Sequence, residues 1–591
     1  MAAPGLQALV FLLAASAPVV ETGPAVFPGT AERRSAAAQV AIPTRPLPAA
    51  ARHVLPPLSP AERTALVKRD GRSSNLRRKV PAVRVGISRP LPAIVGFDSV
   101  LPDLAAGASR TVAGGLLERS PDGRLTWTAA FSSPGAGALR LHLQDPRLPP
   151  GARIFVFSAS GETHGPYSFE GGTRPEGFWT NTVFAEEIFL QVLLPPSGGP
   201  ASLAVDAVVH IEHPGFAPGA AMRASPALLP KSQICFVDRS CVTPAEFPSI
   251  DAASHSAAQL TFVDAGDAFI CTGALLQTTT SSFVPYLLTA NHCFANQPAA
   301  TSLEAIWDYR TAACDGPFPS PSLFPRTLGS TLLATGETSD FTFVQLSQNP
   351  PAGSVFLGWT TADYSQAGGT ILYRLSHPDG DPQFFTRHEV STTPTPAECS
   401  DAPQGNFVYS KDLDGGTGLG SSGAPVYLED LRVVGQLLGS CGFNIEDDCD
   451  AVQNSTVDGA FHVTFPSVRA WLDPAGPCIP DPTTLCLNGG RFRVRVTWST
   501  GEGTGPGMGV PLTGDSGYFW FFNAANLELV VKVLDACALS PGRFWVFAGG
   551  LTNVGVVLTV EDRQTGAVRE YRNTRGTAFA PLQDTAAFSC P

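Results

Sequence analysis

Apolar and polar residues alternate in short runs separated by Gly- and Pro-containing turns, and sustained helical periodicity is scarce. "GALRLHLQD", "ARIFVFSASG" and "EEIFLQVLL" read as strands interrupted by "SPDGR", "RLPPGAR" and "PSGGP", a spacing that predicts an all-β sandwich over residues 95–214. Residues 24–94 before it are rich in Ala, Pro and Arg without a period, which reads as a linker or poorly ordered pro-region. An Ala/Pro stretch at 215–230, punctuated by basic residues, is a second linker and a place for proteolytic nicking. Residues 231–475 carry a dense series of short strands closing on "FPSVRAWLDP", the one convincing amphipathic helix. Period-two alternation returns in "GRFRVRVTWST", "GYFWFFN", "LELVVKVLD" and "RFWVFAGG", predicting a compact accessory β domain over 476–591.

Composition narrows the class. At 591 residues the chain is too long for one core, and only 15% of it is charged against 58 Gly and 54 Pro, which favours a mostly β protein of several domains. A net charge of −12 without a dense Lys/Arg tract argues against a nucleic-acid partner. The apolar segment at 1–23 reads as a signal peptide, and no later stretch reaches the ~20 apolar residues of a membrane span. A secreted protein with no membrane contact after signal removal is the expectation. All 12 cysteines lie at or after Cys235, eight before Cys478 and four from there on, so two separately cross-linked domains should follow a cysteine-free N-terminal part. No C-x-x-C pair finds a matching second pair, so disulfides are favoured over zinc.

Three motifs in the middle unit carry chemistry. "LLTANHC" puts His292 just beyond a buried strand, at a rim that Cys293 ties down, with Cys271 of "FICTGALL" as its natural partner. "TSDFTFVQL" puts Asp340 at a strand entrance, where a carboxylate orients an imidazole through Nδ1 and leaves Nε2 free as base. "GTGLGSSGAPVYLED" holds Ser422 among small residues that let the chain turn sharply, so that the amides of Gly420 and Ser422 converge on an oxyanion. Each motif alone has a bland reading: a rim histidine, a turn aspartate, a flexible Gly/Ser linker. Their order His, Asp, Ser, each at a strand end inside a disulfide-rich domain, is one that paired β-barrels use for acyl transfer.

Together with "AIWDYRTAAC", "FLGW" and "VVGQLLG", these segments resemble bacterial secreted serine endopeptidases of the chymotrypsin-like clan, closest to the lysyl endopeptidase group, over about 231–475. The resemblance implies a chymotrypsin-like double β-barrel flanked here by two β-sandwich-like domains. It also implies a trypsin-like mechanism with His292 as general base and acid, Asp340 as its orienter, Ser422 as nucleophile, and no metal or organic cofactor. Cys241 would pair with Cys314, Cys235 with Cys449 or Cys441, and Cys399 with whichever remains. Ser421 stands where trypsin relatives have the aspartate that binds a newly freed N-terminus, so that activation salt bridge is missing. Where the group has "GQLHG" this chain has Leu438, and alignment on Gly459 puts Thr456 at the place of the lysine-binding carboxylate, with Asp458 close by. These three are the substrate-pocket candidates, and lysine preference is not implied.

The resemblance extends to the flanks. The N-terminal β unit is similar to propeptide-like regions of exported proteases, making the chain's own N-terminal region an inhibitor or folding aid of a zymogen, with a permanent binding module as the alternative. Protein or peptide substrates are the expected partners. Two other functions compete: a catalytically silent protease-like scaffold that binds or adheres, and an esterase using the same triad. The aromatic runs of the last domain read as core more readily than as a binding face.

Overall fold

The computed structural model describes residues 19–29, 46–67, 78–79, 82–98, 104–169, 177–195, 200–212, 222–223, 235–393, 398–445, 447–474, 478–537, 539, 542–563 and 567–590. The leader up to residue 18 and most of the linker at 215–230 lie outside them. Strands hold 49% of the chain and helices 8%, a mostly β protein. Contacts divide it into two compact units, one of residues 1–277 and 284–465, the other of 278–283 and 466–591, so the division falls some ten residues before the expected one at 475.

The N-terminal part of the first unit is a sandwich. One sheet runs in the order Thr163–Tyr167, Arg153–Ser158, Glu187–Leu194, Leu125–Ser132, Gly115–Arg119, Ser109–Val112. The other runs Phe178–Trp179, Ala138–Arg147, Ser202–Ile211, Val83–Asp98. Trp127, Phe131, Leu141, Val192 and Val205 fill the space between them. The 16-residue strand Val83–Asp98 lies mostly inside the stretch expected to be linker, as do the strand Arg52–Val54 and the helix Pro60–Val67. Its alternation is visible at Val85, Ile87, Val95 and Phe97, all buried, but Pro90 and Pro92 interrupt it where the pairing with Ser202–Ile211 shifts register.

The same sheet continues from Val83–Asp98 onto Asp267–Leu275 and so into the first barrel. There Ala257–Asp264, Asp267–Leu275, Tyr286–Ala290, Phe341–Leu346 and Ser330–Gly336 pair in sequence, while Arg326–Leu328, joined to Ser330 through Gly329, pairs with Glu304–Trp307, which pairs back onto Ala257–Asp264. The second barrel closes through Ile371–Ser376, Phe384–Val390, Phe407–Asp414, Asn454–Ala460, Arg432–Gly442 and Pro425–Tyr427. Disulfides Cys235–Cys449, Cys241–Cys314, Cys271–Cys293 and Cys399–Cys441 cross-link this region.

The second unit is a sandwich of two five-stranded sheets with Cys478–Cys486 and Cys537–Cys590. Phe492, Phe519, Phe544 and Phe588 pack in its core, while Phe522 stays 55% exposed. No helix among the described residues is long and apolar enough to cross a membrane.

Candidate active site

The strand Tyr286–Ala290 is buried at every position, and the chain turns immediately after it, so His292 emerges at the end of the first barrel with the side chain only partly covered. Asp340 precedes the neighbouring strand Phe341–Leu346 with φ +51°, a left-handed conformation that L-residues adopt rarely and that aims the carboxylate back at His292. One carboxylate oxygen accepts the His292 N–H at 3.0 Å, and the other lies 2.7 Å from Nδ1. Asp340 is pinned in turn: its carbonyl accepts from Asn291 N at 3.0 Å and from Gln436 Nε2 at 3.2 Å, the latter reaching across from the second barrel. The Nδ1 contact favours the tautomer that carries its proton on Nδ1, and the backbone bond holds the carboxylate in line for it. His292 Nε2 is enclosed and carries no hydrogen bond.

Ser422 sits in the turn leading into Pro425–Tyr427. Its carbonyl accepts from Thr272 N at 2.8 Å and lies 3.8 Å from Cys293 Sγ, so its backbone abuts the residue next to His292. The Cys271–Cys293 bridge ties Thr272's strand to the histidine's turn. The structure thus brings Ser422 beside the His292–Asp340 pair without the Oγ–Nε2 hydrogen bond being formed.

The loop before the serine is shaped by close approach. Gly420 has φ +89°, and a Cβ on it would meet the His377 carbonyl at 2.8 Å and Asp379 N at 3.0 Å. A Cβ on Gly423, at φ +79°, would meet Thr289 Oγ1 at 2.2 Å. Among the described residues, neither the Gly420 nor the Ser422 N–H donates to a protein acceptor, which leaves both for an oxyanion. Thr272 Oγ1 donates to the Gly420 carbonyl at 2.9 Å and accepts from His377 N at 3.1 Å, turning the Gly420 carbonyl toward Thr272. His377 is fully buried, stacked on Tyr309, and burial holds its pKa down to about 4. Ser421 Oγ is buried without a partner.

The pocket candidates are engaged elsewhere. Asp458 forms a fully buried ion pair with Arg374 inside the second barrel. Thr456 Oγ1 donates at 2.6 Å to Asp412, which also bonds His388 Nδ1 at 2.7 Å. Leu438 packs with Phe407, Tyr409, Val457 and the Cys399–Cys441 bridge. Among the described residues, no hydrogen bond or ion pair joins any of the three to Ser422 or His292. Sequence reasoning missed Thr272, Gln436 and His377. Thr272 directly follows Cys271 and Gln436 lies within "GQLL", so their position in the motifs was the only signal.

Residues 229–453 match the family model described as lysyl endopeptidase, C-terminal domain. A curated lysyl endopeptidase of Pseudomonas aeruginosa is 26% identical over 317 residues, or 51% of this chain. The chain spans 64% of that relative's length. Solved structures matching this chain include the protease Anisep of Arthrobacter nicotinovorans, 15% identical over 35% of this chain and 90% of that one, with a TM-score of 0.26. The thermostable serine protease AL20 of an extremophilic microorganism is 12% identical over 36% and 93%, with a TM-score of 0.25. An inactivated protease paralogue of the scabies mite is 13% identical over 37% and 96%, with a TM-score of 0.27.

Proposed function

We propose, from the premise that residues 229–453 are a lysyl endopeptidase homologue, that this chain is a secreted serine endopeptidase acting through His292, Asp340 and Ser422. The observation that carries the reading is the Asp340 carboxylate gripping both the backbone and Nδ1 of His292, with an unbonded Nε2 beside the Ser422 turn. A small loop adjustment or a turn about the Ser422 Cα–Cβ bond on substrate binding makes the missing contact, as catalytic hydrogen bonds often tighten only in the complex. Ser422 Oγ then attacks a peptide carbonyl while His292 Nε2 takes its proton. The amides of Gly420 and Ser422 receive the oxyanion, a role worth roughly 10²–10³ in turnover per donor. His292 returns the proton to the leaving amine, and water repeats the sequence to free the acyl-enzyme. Six disulfides support an oxidising, extracellular setting.

The relative's name includes lysyl, but the preference is not transferred. With Asp458 already neutralised by Arg374, it is not a free carboxylate for a substrate ammonium. Latency has a structural candidate. Beyond Leu437 the strand Arg432–Gly442 has left its neighbour Pro425–Tyr427, and the backbone of Arg78–Lys79 pairs antiparallel with Ser440–Cys441 on that edge. An extended substrate adding to the same edge would compete with it, which supports the N-terminal segment as inhibitor.

Casein and an ester substrate tested with wild type and Ser422→Ala decide the matter. Turnover of both should fall by roughly 10⁴-fold or more in the variant. Unchanged hydrolysis would reject the assignment, ester activity without casein cleavage would favour the esterase, and inactivity of the processed wild type would favour a silent scaffold, the reading that the unbonded His292 Nε2 supports.

A further inference from the structure

The N-terminal sandwich meets the first barrel along three kinds of contact. The first is a continuous sheet: Val83–Ile87 lies antiparallel on Asp267–Ile270, Ser88 N donates to the Gly266 carbonyl at 2.7 Å, and Arg84 pairs with Asp267 at 2.9 Å. The second is a shared apolar cluster in which Val85, Ala138, Val209 and Ile211 of the sandwich pack against Val263, Ala268 and Ile270 of the barrel. The third is a buried polar cluster. Glu304, fully buried on the barrel, accepts from Asn181 Nδ2 at 2.7 Å and from Thr182 N at 2.9 Å. Arg326 beside it reaches the Thr182 carbonyl and Glu162, both at 2.5 Å, and lies over the Phe184 ring. Arg140, fully buried on the sandwich, donates to the Ser302 carbonyl at 2.7 Å.

Each side completes the other. Removing the sandwich would strip the Asp267–Ile270 edge of its strand, expose Val263, Ala268 and Ile270, and leave Glu304 with Arg326 alone. The sandwich's buried Arg140 would keep the Thr180 carbonyl but lose the Ser302 carbonyl as an acceptor. Burial raises the Glu304 pKa, but Arg326 and Arg140 outweigh it and hold the carboxyl down to about 2, so it stays ionised across the physiological range. Such a cluster specifies one docking geometry, while the strand pairing and apolar contact supply adhesion.

We propose that the sandwich, residues 83–211, is a permanent partner of the protease barrels and stays bound when the connecting segment after it is cut, rather than departing as a pro-domain. The strand it extends is also functional: Asp267–Ile270 runs directly into Cys271 and Thr272, which hold the histidine's turn and the serine's loop. Any inhibitory action therefore belongs to the chain before Val83, and its removal leaves the sandwich in place. The docking itself does not depend on the proposed chemistry.

The test uses the full chain carrying Ser422→Ala, to prevent self-cleavage, with a recognition sequence for an unrelated protease inserted within residues 213–221. After cutting, size-exclusion chromatography with mass analysis of each peak should find both fragments in one 1:1 complex in physiological and high salt. Two separate peaks in physiological salt would overturn the proposal. Arg84→Asp or Asp267→Arg should each speed dissociation of the cut complex by about two- to fivefold, and the double swap should restore it. Failure of the swap to rescue, together with fragment separation, would deny the interface, whatever the fate of the catalytic assignment.

Discussion

Both barrels bury charged side chains, but on opposite faces. In the first, Glu304 and Arg326 point outward and are sealed by the sandwich, and the strands around His292 are filled by Leu260, Phe262, Leu287, Leu288 and Phe343. In the second, Arg374 shares a strand face with Leu372 and Asp458 with Ala460, which puts the ion pair inside the barrel next to its apolar cluster. The His388–Asp412–Thr456 chain lies on the same inward face. The first barrel thus places the His292–Asp340 pair at the ends of two neighbouring ladder strands. The second presents its serine on a loop supported by polar contacts, many of which cross the seam between barrels. The histidine's half is held mainly by its own barrel, with Gln436 as its one tie across the seam, whereas the serine's loop leans on Thr272 of its neighbour.

The largest expected effect breaks the completed half. His292→Ala and Asp340→Asn should each lower turnover of a peptide substrate by roughly 10⁴-fold or more, because the three groups act as a unit. Asn tolerates the left-handed backbone at this position, so Asp340→Asn should leave the circular dichroism spectrum unchanged. A loss of less than tenfold there would mean the pair is structural.

Next comes the interior of the second barrel. Arg374→Met strands Asp458 without a counter-ion and should cost about 3–5 kcal/mol in denaturant unfolding, whereas Arg374→Met with Asp458→Leu should recover most of it. If the double variant is as unstable as the single one, the pair is not what the barrel packs around.

A pH titration sharpens the contrast at the loop. Burial holds His377 down to about 4 against an ordinary 6.5, so an unfolded chain takes up a proton that the folded chain refuses. The contribution of His377 is therefore full above about pH 6.5 and lost as pH falls toward about 4, a total on the order of 3 kcal/mol. Unfolding curves at stepped pH should be flatter in this window for His377→Gln than for wild type. His164 and His210, also held down by burial, titrate in both proteins and cancel in the difference.

How far these features were legible follows from what each demands of the sequence. A mostly β chain was readable from period two, and two cross-linked regions from the spacing of cysteines, because alternation and cysteine placement leave local marks. The positions of His292, Asp340 and Ser422 stood out as polar residues at strand ends, in that order and among small neighbours, and the resemblance supplied the roles proposed for them. The strand Val83–Asp98 was not, because two prolines break its alternation and its partner strands lie far away in sequence. Arg374 and Asp458 were not, because a charge on a half-alternating strand reads as a solvent face, and only barrel closure reveals that face as interior. Asp458, expected near the pocket, is instead seen paired with Arg374.

The smallest expected effect lies on the seam itself. Thr272 belongs to the first barrel by strand, yet its hydroxyl donates to the Gly420 carbonyl and accepts from His377 N, both in the second. Thr272→Val keeps the shape and the backbone bond from N to the Ser422 carbonyl, and removes only those two contacts. One net hydrogen bond is worth about 0.5–1.5 kcal/mol, and the His377 amide would also be left unsatisfied. If that loss fell on global stability alone, unfolding would shift while turnover stayed put. If the hydroxyl sets the Gly420 peptide so that its N–H faces the oxyanion, turnover should drop by roughly three- to tenfold with KM unchanged, since the interaction acts on the transition state rather than on substrate binding. Thr272→Ser, which restores the hydroxyl, should return most of that activity. A rise in KM with turnover preserved would instead show that the serine's half stands without help from the first barrel.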